Sequence, residues 1–363
     1  MAAASKETTM TAYIIRRLLL LPITVTGVTL LIFAMMQVLS PVERSALYIR
    51  DIPKNDAQVE RIIRQYGLDR PFVVQYWTWL VGTRNPETGQ RVGGVLRGDL
   101  GYSRTGNQTV KELIAQRLPA TVELALWSMI PIIGVGIWLG IQAAVHHNQL
   151  PDQAARVFAI IGYSFPTFVF GLLVLMLLYA KTGWFPPGRL SDWADIVVKS
   201  ADFKRYTQIN TLDALLNLRF DIFLDALRHL VLPTITLCYI QWALLLKITR
   251  SSMLEAMRQD YVRTARSKGL SEKVVINRHV RKNALIPVAT VGGLTVVGLL
   301  NGVVITETVF NYPGMGSALA RAAASLDVVT TLGFVLFNAT LLIVANLIVD
   351  ILYAFLDPRV RYQ

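Results

Sequence analysis

The chain has 363 residues, 53% of them hydrophobic and 17% charged, where a soluble domain carries about a quarter charged residues. Its net charge of +12 does not describe a nucleic-acid binder, because Lys and Arg cluster between uncharged apolar runs instead of covering one surface. With Cys238 as its one cysteine, the chain forms no intrachain disulfide framework.

A bilayer core about 30 Å thick takes about 20 apolar helical residues. Six runs meet that requirement, over 14–39, 120–145, 156–181, 230–249, 285–305 and 331–356. The first follows Arg16-Arg17 and has no small-residue cleavage pattern behind it, so it is expected to remain as an anchor. Residues 40–118 then form a small external domain. Within it, 57–80 carry apolar groups at helical spacing (Val59, Ile62, Ile63, Tyr66, then Phe72, Tyr76, Trp79), with Gly67 and Pro71 separating two short helices. Gly93 to Thr109 reads as turns, and Val110 to Leu118 as a third helix ending before Pro119. A second external insert, 183–228, opens on Trp184-Phe185-Pro186-Pro187-Gly188.

Lys and Arg in the short connections set the orientation, because long outside segments are translocated largely regardless of charge. With the N-terminus inside, segments 1–17, 146–156, 247–284 and 357–363 hold 16 basic residues, against 8 in the outside segments 181–228 and 306–330. Both termini are therefore expected in the cytoplasm. The carboxylates left within the spans are Glu123 and Asp350, both near span ends, where interfacial or helix-packing roles suit them. A proton-coupled secondary carrier, which needs charges at mid-depth, is disfavoured.

The stretch from Ser251 to Pro287 must lie in water. Ten Lys and Arg fall between 247 and 284, and each would cost about 3 kcal/mol at the bilayer centre. From Leu254, residues Met257, Tyr261 and Ala265 fall on one helical face, with Gln259, Arg263, Arg266 and Ser267 opposite. Gly269 stands where a left-handed cap ends a helix, with Leu270 placed to fold back on Ala265. Ser271 can cap a second helix through Val274, Val275 and Ile276. Such a loop suits a knob that docks into a partner's cleft; a basic helix lying against anionic lipid is the alternative.

Asp260-Tyr261-Val262-Arg263-Thr264-Ala265-Arg266-Ser267-Lys268-Gly269-Leu270-Ser271, followed by Arg281-Lys282-Asn283-Ala284-Leu285-Ile286-Pro287, resembles the EAA loop of the inner-membrane permeases of binding-protein-dependent ABC importers, in the dipeptide/oligopeptide version. Further stretches agree in order: Gly98-Asp99-Leu100-Gly101-Tyr102-Ser103, Arg117-Leu118-Pro119-Ala120-Thr121, Ser164-Phe165-Pro166-Thr167-Phe168, Glu307-Thr308-Val309-Phe310 with Pro313-Gly314-Met315-Gly316, and Asn346 through Arg361. The chain departs from that pattern in three places. Arg263-Thr264-Ala265 stands where the name-giving motif begins with Glu, Ser325 to Val329 replaces a common Arg-Asp-Tyr-Pro, and insert 183–228 is longer than usual.

The resemblance implies an all-α polytopic membrane protein of the type I ABC importer permease fold, with six transmembrane helices and a small external domain between helices 1 and 2. Residues 1–39 would be the cytoplasmic N-terminus and first helix, 40–118 the external (periplasmic) domain, and 119–363 the permease core with insert 183–228 and the cytoplasmic coupling loop 250–284. It further implies a half-pore in the cell inner membrane, paired with a second homologous permease in a heterodimer, two cytosolic ATP-binding subunits and an external solute-binding protein. Peptides would be the cargo, with oligosaccharides, nickel chelates or opine-like solutes as alternatives. No nucleic acid is expected.

The chain has no G-x-x-x-x-G-K-[ST] phosphate loop, no H-E-x-x-H and no G-x-S-x-G elbow. It is expected to be no enzyme and to hold no cofactor or metal, with ATP and Mg bound by the partner subunits. By resemblance, the loop contacting the ATPase comprises Glu255, Asp260, Tyr261, Arg263, Thr264, Ala265, Lys268, Gly269 and Leu270. Gln241, Gly298, Asn301 and Asn338 either line the path or pack helices. Asp99, Tyr102, Glu307, Phe310, Pro313 and Gly314 either meet external partners or form local turns.

Overall fold

Inside a bilayer no water can satisfy backbone N–H and C=O groups, so a chain with this many apolar runs is expected to bond them within helices. A computed structural model describes residues 2–45, 56–84, 89, 91–300 and 303–356, and helices dominate them. Asn301 lies outside these residues. Among the described residues, five helices are long and apolar enough to cross a membrane, and a pair bent by 101° makes a sixth when taken as one span. The chain divides into two compact units, one of 1–118 with 318–348 and one of 119–317 with 349–363.

In the first unit, α1 (Ala2–Met36) carries the first span and α2 (Pro41–Ser45), α3 (Asp56–Tyr66) and α4 (Phe72–Val81) follow. Gly67, with φ of +62°, makes the expected break before α4, a left-handed turn that glycine adopts without strain. The C-terminal end of α1 packs on α4 through Phe33, whose ring lies 5.3 Å from Phe72, 5.5 Å from Tyr76 and 5.4 Å from Trp79. Buried Arg44 joins the same seam, donating to Gln37 and Gln75 at 2.5 Å each.

Two short hairpins come next, β1 (Thr83–Arg84) with β2 (Arg91–Val92) and β3 (Tyr102–Ser103) with β4 (Gln108–Thr109). The β3–β4 turn is held by Asp327, whose carboxylate accepts the Thr105 N–H at 3.0 Å and its hydroxyl at 2.9 Å. Burial opposes the charge on Asp327, but those bonds and one from Thr330 outweigh it and keep the carboxyl below the usual range. The departure at Ser325–Val329 thus supplies an internal anchor.

The second unit is built around one long helix. In chain order, α5 (Val110–Val145), which begins in the first unit, α6 (Leu150–Ser164), α7 (Thr167–Leu175), α8 (Asp192–Val198), α9 (Asn210–Leu216) and α10 (Phe220–Met257) lead to α11 (Asp260–Ser267). Then α12 (Glu272–Val274) and α13 (Arg281–Leu300), joined through a π-helical stretch at 275–280, precede α14 (Val304–Val309), while α15 (Met315–Ala324) and α16 (Val328–Leu356) belong mostly to the first unit. Helix α10 packs on α6, α7, α9 and α13, with Leu124, Ile132, Leu237, Leu245 and Val288 in the shared core. Small residues bring the axes together: a Cβ at Gly162 would stand 2.7 Å from that of Ala243, a spacing characteristic of membrane helix pairs.

Three expectations change. Helix α5 does not end before Pro119 but continues through it and through Pro131, since each proline removes a single hydrogen bond while packing supports the rest of the helix. The third span is not straight. Phe165 takes an extended conformation, and Pro166, without an N–H, starts α7 on a new axis. The fourth span is the middle of a 38-residue helix whose N-terminal turns anchor insert 183–228. There Asp225 accepts the N–H and hydroxyl of Ser191 at 2.8 and 2.6 Å, and His229 meets the Pro187 carbonyl at 3.0 Å.

Candidate functional site

Within the expected coupling loop 250–284, α10 stops after Met257. The N–H groups of Arg258 and Gln259 bond to the carbonyls of Glu255 and Ala256 at 3.1 and 3.2 Å, closing the helix before α11 starts at Asp260. This break resets the helical phase, so the buried face of α11 is Val262 and Ala265, not the expected Tyr261 with Ala265. These two pack against Met253, Ala256, Val275, Val280 and Ala284. Glu255, Asp260, Tyr261, Arg263, Thr264, Lys268, Gly269 and Leu270 are all exposed.

Gly269 has φ of +76° and its N–H bonds to the Arg266 carbonyl at 2.9 Å, as expected of a left-handed cap. Leu270 does not fold back on Ala265; it stays 40% exposed. Nor does the Ser271 hydroxyl cap the next helix. Instead the Ser271 carbonyl accepts the Val274 and Val275 N–H groups at 2.9 and 3.0 Å, while Arg266 reaches over the glycine to Glu272 at 2.6 and 3.1 Å. The pair is half-exposed and contributes about 0.5 kcal/mol. The outcome is a small, packed helix presenting a tyrosine, a leucine and several cations to water.

At the 307–316 turn, Glu307, Phe310 and Gly314 are buried, and Pro313 is partly so. Glu307 accepts the Thr121 hydroxyl at 2.9 Å and the Ser317 N–H at 2.7 Å. A Cβ at Gly314 would lie 2.6 Å from the Thr121 Oγ1, so only glycine fits beside the carboxylate. Of the two readings of 307–316, this burial supports the local turn. Burial pushes the Glu307 carboxyl up, against the hydrogen bonds from Ser317 and Thr121, and no ion pair involves it among the described residues. Glu307→Gln is therefore expected to change stability by under about 1 kcal/mol, whereas Glu307→Leu, which strands both donors, should cost about 1–3 kcal/mol. Thermal unfolding of the detergent-solubilised complex distinguishes the two.

Sequence reasoning gives Glu123 an interfacial or helix-packing role and does not reveal the cluster it gathers. Its carboxylate accepts the Thr211 N–H at 2.7 Å, the Arg189 guanidinium at 2.5 Å and the Tyr312 hydroxyl at 3.0 Å. Asp99, exposed, and Tyr102, partly buried, line a cavity of about 420 Å³ within the first unit, with Trp79, Lys111 and Leu336. Gln241 is partly buried and Gly298 exposed, with open space where a Cβ would stand. Asn338 keeps its buried Oδ1 without a hydrogen-bond partner. No group of His, Cys, Asp and Glu fit to hold a metal ion occurs among the described residues.

Long apolar helices, a broken span and an exposed basic helix between spans define a multi-pass membrane transport subunit. Residues 136–362 match the family described as the binding-protein-dependent transport system inner membrane component, and residues 10–125 match its N-terminal companion. The chain belongs to this family of ABC importer permeases, for which an EAA motif is typical. It is 40% identical to the di/tripeptide transport system permease protein DppB of Pseudomonas aeruginosa, over 98% of this chain and all of the relative. The dipeptide transport system permease protein DppB of Escherichia coli K12 is 38% identical over the same shares. The oligopeptide transport system permease protein AppB of Bacillus subtilis is 36% identical over 97% of this chain and all of the relative.

Proposed function

We propose that this chain forms half of the translocation pore of an importer for short peptides, driven by ATP hydrolysis in separate subunits. The observation that carries this reading is end-to-end similarity to permeases of di/tripeptide, dipeptide and oligopeptide systems. A second homologous permease completes the pore, two cytosolic ATP-binding subunits dock on the 250–284 loop, and an external binding protein delivers the cargo. The exposure of Tyr261 and Arg263 on a firmly packed α11, with Lys268 and Leu270 just past its end, supports the docking role: a stiff knob with an apolar tip and a basic rim passes force to the spans without deforming. Both termini lie in the cytoplasm, as the Lys and Arg distribution favours.

Gln241, Gly298 and Asn338 are path candidates. Amides bind peptide backbone groups weakly and without side-chain preference, which suits release. The test is ligand identification. The binding protein encoded with this permease is expected to carry short peptides detectable by mass spectrometry, and those peptides should drive ATP-dependent uptake into vesicles holding the full complex. A sugar, an opine or a nickel chelate on that binding protein would overturn the peptide assignment.

A further inference from the structure

The chain contains one fully buried carboxylate at the base of the coupling loop that no role above uses. Asp152, in the first turn of α6, is 0% exposed and accepts from three directions. Arg250 of α10 donates through Nε at 2.5 Å and Nη2 at 2.9 Å. Arg156, one turn along α6, donates at 2.7 Å, and the Asn148 N–H at 2.9 Å. His147 lies 3.3 Å from the same carboxylate. A bidentate guanidinium–carboxylate pair fixes angle as well as distance, so α6 and α10 are locked together at this level.

The position of the lock matters. Arg250 stands seven residues before Met257, where α10 ends, or about 10 Å along the axis from the loop that carries α11. Just above, Ala143, Ala155 and Ala159 meet Ala243 and Leu246 in a close apolar seam, and beyond it α6 reaches the bend at Pro166. Past the bend, α7 packs on α14, with Gly171 against Val309 and Phe310. One continuous set of packed helices therefore leads from the coupling loop, through the Asp152 lock and the bend, to the outer turn at 304–317.

We propose that Asp152, through Arg250, is a positioning residue for energy coupling: it makes displacement of the coupling loop turn α6 and the bent third span along with α10. Without the lock, α10 moves while α6 lags, and ATP is hydrolysed without opening the path. The proposal rests on the permease reading.

The experiment uses the complete complex in vesicles and measures uptake and ATP hydrolysis together, with wild type as the first arm. Wild type that fails to take up peptide argues against the cargo assignment alone, and the ratio is then read with whatever ligand the binding protein carries. Asp152→Asn is expected to assemble, to hydrolyse ATP within about twofold of wild type, and to lose tenfold or more in solute moved per ATP. Arg250→Lys, which keeps the charge but loses the second hydrogen bond, should lower that ratio less, and it carries the test alone if Asp152→Asn does not assemble. An unchanged ratio in an assembled variant, or uptake and hydrolysis falling in parallel, would overturn the proposal.

Discussion

Gly269→Arg is expected to abolish uptake while the complex still assembles and retains some ATP hydrolysis. Two effects combine. At φ of +76° any residue with a Cβ meets its own carbonyl, a strain of about 1–2 kcal/mol. That alone would not unfold a segment whose Val262 and Ala265 are firmly packed. The second effect is positional. No atom lies within 4 Å of a Cβ at Gly269, so the added side chain has room within this chain and projects from the exposed surface proposed to meet the ATP-binding subunit. A graded series separates the two: Gly269→Asn tolerates the left-handed backbone and should retain most uptake, Gly269→Ala should lose part of it, and Gly269→Arg all. Uptake by Gly269→Arg at the wild-type rate would remove the coupling role from this loop.

The six apolar runs were legible because a bilayer demands length and absence of charge, and both can be counted. The bend at Pro166 was less so. Ser164 to Phe168 was visible as a motif, but proline also occurs inside unbroken helices here, at Pro119, Pro131 and Pro233, and packing decides which of them breaks. The face of α11 was misread for a related reason: a helical wheel extended from Leu254 assumes one axis, and the turn at Arg258–Gln259 supplies two. Glu307 looked like an external contact because a carboxylate in an outside turn ordinarily seeks water. Its partners come from Thr121, 186 residues away, and from a backbone N–H that no sequence pattern marks. Glu123 shows the same limit, since its three donors lie 66, 88 and 189 residues off.

Those long-range partners make the loss of Glu123 costly for the fold. In Glu123→Ala, Arg189, 14% exposed, would keep its charge in a buried site with the Gln208 carbonyl at 3.1 Å as its remaining acceptor. The Tyr312 hydroxyl and the Thr211 N–H would lose their acceptor as well. Removing one member of a buried ion pair typically costs about 3–5 kcal/mol, because the stranded charge is the expensive part. Tyr312 cannot compensate by ionising: burial and the neighbouring carboxylate hold its hydroxyl well above the usual phenol range. The damage should fall on insert 183–228, which Glu123 fastens at both Arg189 and Thr211, and should appear as faster proteolysis there, with a lower unfolding temperature and reduced uptake. Glu123→Gln keeps one acceptor, for either the Thr211 N–H or the Tyr312 hydroxyl, which bond to different carboxylate oxygens, and should lose less than Glu123→Ala. The decisive comparison is Glu123→Ala with Arg189→Met: removing both charges should restore part of the stability lost in Glu123→Ala alone, a coupling of at least about 1 kcal/mol. Additive losses in the double variant would mean that the charge pair does not hold the insert, and that its attachment rests on Asp225 with Ser191 and on His229 with Pro187.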